Sequence, residues 1–419
     1  MSKGTTGTGN VLSKPVVTIC AAKMNEEMGE VSSVAKELRP ETKEKGSNIE
    51  VYVRKPSQVY SGMSGLPKDS NGKSILPSNP EQKVNVVLDT SFAYDSLSVR
   101  DLSNDVLKRE EQILAPMRTA IQYDIKSKFY YGLLSAGDKA IAAETPGKLT
   151  WGDLAKALAA VRHSGVGGKM NILIPENGFA ALMGTTQNAF LPSANEEMFK
   201  NRLGSFGGAD VWRTVVDGTI PGGSGNFTVH ATDPWGHIPG TGEGLGSQSY
   251  IRTTTTNGVV QKGTLFQING VQAKNIYGKT DGRLSTFACL YDIDLATGKP
   301  VDPLLNRPQI PAGAIPIGRA LGIGFLSTPV AAGNTLTRVN ATNSPLNSVL
   351  VYSEKAFAFA SATPARRYVN EEENTAHEGG INIRLGIDGS NDEGLTSFRM
   401  DVLTGSNGVW SPGCCAILY

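Results

Sequence analysis

The stretch SNDVLKREEQILAPMRTAIQYDIKSKFYYGLL, residues 103–134, is the one long helical pattern in a chain otherwise rich in glycine, threonine and short alternating runs. Leu107, Leu114, Met117, Ile121, Ile125, Phe129 and Leu133 recur at steps of three, four or seven, the stripe of an amphipathic helix. Asp101 or Ser103 can cap its start, and Glu110 and Glu111 suit the positive end of the helix dipole. At full length it would span roughly 45 Å, more than most globular domains need. Pro116 removes a backbone donor and crowds the preceding turn, so a kink is expected there. The plain reading is a core helix of an ordinary domain; the alternative is a spine across an extended subunit.

The flanks favour the spine. Residues 1–47 read as an arm whose one short helix, in AAKMNEEMGEVSSVAKEL, has too little apolar surface to stand alone. It must dock within the chain or on a neighbour. Residues 48–95 read as a long hairpin: Ile49, Val51 and Val53 alternate with polar residues, as do Val84, Val86 and Leu88. Between them lies PSQVYSGMSGLPKDSNGKSILPSNPEQ, longer than loops of compact domains usually are. It reads either as a surface loop or as a flap reaching over another subunit.

Downstream of the spine, Thr150 with Asp153 makes a capping box. Leu154, Leu158 and Val161 form a short stripe, Gly165 ends that helix, and MNILIP follows as a buried strand. From about 217 to 340 the texture changes to short β-prone runs punctuated by Asn257-Gly258, Asn269-Gly270, Gly278 and ATGKP. Asn-Gly between apolar runs signals hairpins, so a separate β-barrel or sandwich is expected to be inserted into the α/β unit. Near the end Ile381, Ile383, Leu385 and Ile387 alternate, and so do Phe398, Met400 and Val402.

The chain is 419 residues long with a net charge of +1, which argues against a polycationic nucleic-acid binder. No apolar run approaches the ~20 residues of a membrane span, and the polar start with Lys23, Glu26 and Glu27 after KPVVTICAA does not read as a signal peptide. Cys20, Cys289, Cys414 and Cys415 form no C-x-x-C pair and read as thiols of a reducing cytoplasm. Adjacent Cys414 and Cys415 would point to opposite faces of a terminal strand.

A search for chemistry yields no catalytic residue, metal ligand or cofactor. His230 and His237 bracket a loop without a third ligand, His163 ends a helix, and His377 follows the solvated acidic run Glu371, Glu372, Glu373. The G-K-T beginning at Gly278 has Ala273 where a phosphate loop needs glycine. GTGEGLG at 240–246 misses the dinucleotide-binding spacing.

These pieces resemble the major capsid proteins of tailed bacteriophages with the HK97 fold, in particular the P22-type coat proteins. The order of arm, hairpin (the family's E-loop), spine helix, α/β axial domain and returning strands carries the resemblance. So does GGINIRLGIDGSNDEGLTSFRMDVLTGSNGVWSPGCCAIL, where an apolar-Arg strand precedes an R-x-D-x-L-x-G strand matched by Arg399, Asp401, Leu403 and Gly405. QKGTLFQINGVQAKN at 261–275 resembles a box in the inserted domain of P22-type coats.

The resemblance implies an α+β, HK97-like fold with these parts: N-terminal arm 1–47; E-loop 48–95; peripheral domain with spine 96–140; axial domain 141–216; inserted β-barrel 217–340; axial domain 341–371; peripheral strands 372–408; axial terminal strand 409–419. It implies a non-enzymatic coat protein that self-assembles into pentamers and hexamers of an icosahedral virion shell, built in the host bacterial cytoplasm. Expected partners are other copies, a separate scaffolding protein, a portal protein, packaged double-stranded DNA held non-specifically and decoration proteins, with no membrane and no cofactor. Arg54, Lys55, Lys68, Asp69, Lys73, Glu26 and Glu27 are expected at contacts between subunits. Leu114, Met117, Ile121, Ile125, Phe129 and Leu133 are expected in the core of the spine. Some relatives cross-link the E-loop covalently, but beside Lys68 and Lys73 no partner Asn or assisting Glu is identifiable, so cross-linking is not carried over. Two other readings compete: an encapsulin-type shell of the same fold, and a β-rich carbohydrate-binding adhesin, against which the spine and terminal α/β elements argue.

Overall fold

The structure, a computed structural model, describes residues 14–54, 70, 73, 81–98, 111, 114–183, 202–223, 225–241, 246–303, 305, 307–321, 325–342, 344–365, 373–376, 381–390 and 395–419. Two sheets share a central helix. The first is the peripheral sheet, in the order Ala35–Lys43, Phe357–Pro364, Leu395–Gly408, Ile383–Ser390, Glu373–Ala376, with Asp89–Ser98 also paired to Leu395–Gly408. Period-two alternation turns Ile383, Leu385, Phe398, Met400 and Val402 to one buried face. Helices α1 (Lys14–Glu27) and α2 (Ala115–Ala136) cover that face.

Helix α2 is the spine. Among the described residues its α-helical part has 22 residues, about 33 Å at the usual rise. Pro116 lies in its first turn, where a missing N–H costs little, and Glu111 and Leu114 before it are in the wider π-helical form. Leu107 and the expected caps Asp101 and Ser103 lie outside the described residues. Leu114, Met117, Ile121, Ile125, Phe129 and Leu133 are all buried.

The second, axial sheet runs Lys139–Ala142, Cys414–Leu418, Leu346–Ser353, Met170–Pro175, Ala209–Thr214, Arg202–Phe206. Helix α3 (Trp151–His163), opened by the Thr150–Asp153 capping box, packs its Leu154, Leu158 and Val161 on it, and Gly165 follows with φ +75°. Helix α4 (Glu176–Met183) follows the strand that MNILIP forms. Phe129 of the spine joins the two sheets, with its ring edge-on to Phe357 at 5.7 Å and to Tyr352 at 6.4 Å. All four cysteines are buried and none is in a disulfide, and Cys414 and Cys415 face different cores.

Between Phe227 and Arg338 every strand pairs only with others of the same region, in three small sheets around a core that includes Phe266, Phe287, Ile315 and Leu336. Its ends meet in the axial sheet, where Ile220 pairs with Leu346. The Asn340 amide donates to the Ile220 carbonyl at 3.5 Å across this junction and to the Ser344 carbonyl at 2.9 Å beside it. Gly278 and Gly298 turn the chain as expected. Asn269-Gly270 does not: it lies inside the strand Leu265–Lys274, where the register slips between Gln267 and Gln272, a bulge rather than a hairpin turn.

Several expected boundaries move. The arm helix starts earlier and stops at Glu27; Ala35–Lys43 is instead a strand parallel to Phe357–Pro364. Propensity alone favours helix in AKEL, but Pro40 follows, and a proline sits without penalty where the register shifts between Arg39 and Thr42. The hairpin pairs Asn48–Arg54 with Glu81–Val87, but the chain then leaves it: Asp89–Ser98 joins the peripheral sheet. Phe357–Pro364, expected in the axial domain, also belongs there. Lys139–Ala142, expected to straddle the peripheral and axial domains, is an axial strand.

Buried tyrosines make the fold alkali-sensitive. Burial raises the Tyr130 and Tyr352 hydroxyls well above the usual phenol range, and holds Tyr291 and Tyr419 at about 12. In the unfolded chain they ionise near pH ~10. Above that pH the native state binds more protons, so stability is full below ~10 and falls as pH rises, by about 1.4 kcal/mol per unit for each such group. The phenolate absorbance of these four tyrosines should therefore appear only together with loss of near-ultraviolet circular dichroism. Phenolate absorbance of all 12 tyrosines of the chain while the fold persists would contradict it.

Candidate assembly surfaces

The described residues contain no group of three His, Cys, Asp or Glu side chains able to hold a metal. His237 packs edge-on against Trp235 at 5.6 Å, and the His230 Nδ1 accepts from the Thr232 backbone N–H. The G-K-T segment is the turn between two strands, with no helix to receive a phosphate. Of the acidic run only Glu373 is described, at the start of an edge strand. No helix of the described residues is long and apolar enough to cross a membrane.

What the chain does present is a docked arm and a half-covered sheet. Cys20, Ala21, Met24, Met28, Val31 and Val34 all enter the spine's own core. The Lys126 ammonium of the spine meets the Glu30 carboxylate at 3.1 Å, with side chains 6% and 1% exposed, and donates to the Glu27 carbonyl at 2.9 Å. Asn25 accepts from the Ile381 N–H at 2.7 Å, and the Asn171 amide donates to the Ser33 carbonyl at 3.0 Å. The arm was expected to lie on a neighbour or on its own chain; these contacts are with its own chain.

On the opposite face of the peripheral sheet, Ala358, Ala360, Ala362 and Leu403 pack against Ile49, Val84 and Val86 of the hairpin. Gly405 makes this approach possible, since a Cβ there would stand 2.3 Å from the Val87 carbonyl oxygen. Beyond the hairpin the same face carries Arg384, Arg399 and Asp401, brought together by the pairing of Arg384 with Asp401 across the last two strands. The Arg384 Nε donates to Asp401 Oδ2 at 3.1 Å and the Arg399 Nε to Oδ1 at 2.7 Å. Arg399 also stacks on Phe92, 4.5 Å from the ring centre, and lies 5.9 Å from Tyr94. Phe92 and Tyr94 are 59% and 48% exposed. Together the box and these rings form an open aromatic and cationic face.

The residues expected at subunit contacts do not gather into one patch. Glu26 is exposed, while Glu27 sits 3.7 Å from Arg118. Arg54 ends its hairpin strand opposite Glu81, and Lys73 is exposed. Lys55, Lys68 and Asp69 lie outside the described residues. Sequence reasoning missed Phe92 and Tyr94. Their signal was SFAYDS, an alternation with aromatics on one side and small residues on the other.

No protein-family model and no curated protein matches this chain. Solved structures similar to it include the "Capsid of Ralstonia phage GP4", at 8% identity over 92% of this chain and 86% of that one, with a TM-score of 0.43. The "Capsid structure of the Cyanophage P-SCSP1u" is 9% identical over 93% and 87%, with a TM-score of 0.41. The "Crystal structure of virus-like particle from Pyrococcus furiosus" is 9% identical over 96% and 97%, with a TM-score of 0.37. All three are shells.

Proposed function

We propose that the chain is the coat subunit of a tailed bacteriophage, assembling with copies of itself into pentamers and hexamers of an icosahedral shell around packaged double-stranded DNA. The observation that carries this reading is the closing box: Arg384, Arg399 and Asp401 tie the last two peripheral strands together over a spine helix, and beside them an aromatic face stands open. Exposed Phe92 and Tyr94 beside the box are the kind of aromatic residues enriched where proteins meet. In this reading the hairpin projects onto neighbouring copies, a separate scaffolding protein guides closure, and portal and decoration proteins join the shell. The low net charge of +1 suits a wall that does not immobilise DNA.

The test is electron microscopy of the purified chain, alone and with neighbouring scaffold-like genes. Closed shells, or rings of five and six, are expected. A compact monomer in both preparations would sink the reading and turn attention to glycan binding. The insertion has its own expected result. Replacing 221–344 by a short Gly-Ser linker joins ends that are already neighbours, yet strips Leu265, Ala288 and Val339 from the spine core. Aggregated or misassembled protein is expected, read by light scattering; normal shells would refute a role for the insertion in folding or assembly.

A further inference from the structure

The hairpin of Asn48–Arg54 and Glu81–Val87 pairs only with itself among the described residues, and it leaves the peripheral sheet through 44–47 on one side and Leu88 on the other. Its packing on Ala358, Ala360, Ala362 and Leu403 is apolar. Such contact is non-directional: it holds the ribbon against the sheet without fixing the way it points. Direction comes from hydrogen bonds, which have preferred angles. Each strand of the hairpin has 7 residues, so its far end stands roughly 20 Å from the base, and a turn of about 10° there swings that end by about 3–4 Å.

The side chain of Asn407 supplies the directional bonds. It alternates along its strand with Leu403 and Gly405, which both meet the hairpin. It is 6% exposed, and its Nδ2 donates to the Asn85 carbonyl of the hairpin at 2.8 Å and to the Gly246 carbonyl of the insertion at 2.5 Å. Both partners are acceptors, so the amide can face them only with its nitrogen. Its Oδ1 is buried without a hydrogen-bond partner, which is a cost. A leucine would fill the space without that cost, so what asparagine adds here is its pair of donors.

Gly246 is fastened to the body of the insertion. The Ile238 N–H donates to the Gln248 carbonyl at 2.8 Å, and the Thr241 hydroxyl donates to the Ile238 carbonyl at 2.8 Å and accepts from the Gln248 N–H at 3.1 Å. Ile238 itself belongs to the insertion's core. Gly246 has φ +79°, and a Cβ there would stand 2.4 Å from Val84 Cγ1 of the hairpin. Only a bare backbone lets the insertion come this close.

We propose that Asn407 is a positioning residue that ties the hairpin to the insertion, so that the insertion sets the direction in which the hairpin points. Its use in assembly rests on the shell reading above, in which the hairpin projects onto neighbouring copies.

The experiment places nitroxide labels at Tyr52→Cys on the hairpin and Val259→Cys on the insertion, both exposed sites, while the four native cysteines are buried. Doubly labelled full-length chain is diluted into an excess of unlabelled chain, so that double electron–electron resonance reads distances within one copy, assembled or not. Wild type is expected to give one narrow distance. Asn407→Leu should widen the distribution by several Å with near-ultraviolet circular dichroism unchanged. Asn407→Asp cannot donate while ionised and should widen it too, then narrow it again as pH falls and the buried carboxyl takes up a proton it can give to one carbonyl. A side chain that only fills space would show no such recovery. Widths equal to wild type in both variants overturn the proposal and leave the shell reading standing. A wild-type chain that stays monomeric overturns the shell reading and leaves the distances to decide the clamp. Where shells form, Asn407→Leu should lower the closed fraction, and normal shells from a chain with a widened distance overturn the clamp's part in assembly.

Discussion

Asp401→Ala is expected to destabilise the chain by about 3–5 kcal/mol, the cost of stranding a buried charge. Asp401 is 2% exposed and Arg384 is 6% exposed, so removing the carboxylate takes from the buried Arg384 guanidinium the acceptor its Nε bonds at 3.1 Å. Arg399 would lose its acceptor too, and with it the pose that stacks on Phe92. The variant Arg384→Met with Asp401→Leu should recover most of the loss, because an apolar pair needs no desolvation of charge. Urea unfolding of the three proteins measures this. A loss under about 1 kcal/mol for Asp401→Ala would mean the pair behaves as an exposed one.

Glu30→Ala carries the second large effect, again of about 3–5 kcal/mol, from the buried Lys126 ammonium it strands. Here the consequence is local before it is global. The arm contributes Cys20, Ala21, Met24 and Met28 to the spine's core, and the ion pair sits at its C-terminal end. Weakening the pair should open the short segment between α1 and the strand Ala35–Lys43 first, as local openings lie below the global unfolding free energy. Limited proteolysis should cut near residues 28–34 at least ~10-fold faster, since 1.4 kcal/mol is already that factor in the open population. Glu30→Gln with Lys126→Met should restore protection. Equal cleavage of wild type and Glu30→Ala would show that apolar contacts alone hold the arm.

Much of this architecture is legible in the residues. The spine stripe, the Thr150–Asp153 cap and the alternations at Ile383–Leu385 and Phe398–Val402 are local patterns with a period, and each forms the element its period demands. The failures are also physical. Ala35–Lys43 is a strand because Phe357–Pro364 offers a parallel partner more than 300 residues away, and no local propensity encodes that. Asn269-Gly270 has the chemistry of a turn, but a bulge uses the same positive φ. The Arg–Asp–Arg box was visible as spacing, R-x-D, yet its third member needed the pairing register. The Glu30–Lys126 pair carried no sequence signal at all, since 96 positions separate its members.

The strand Cys414–Leu418 lies between Leu346–Ser353 and Lys139–Ala142, and Lys139–Ala142 has no other sheet partner among the described residues. During translation Lys139–Ala142 emerges from the ribosome some 270 residues before the strand it pairs with. The axial sheet therefore closes late, after the insertion has been made and can fold on its own core. Such long-range pairing is slow, and the unfinished edge is open to wrong strands meanwhile. A nascent chain is in this way kept from completing its fold while it is still tethered to a polysome among its siblings, and the last step of folding is set by the order in which the chain is made.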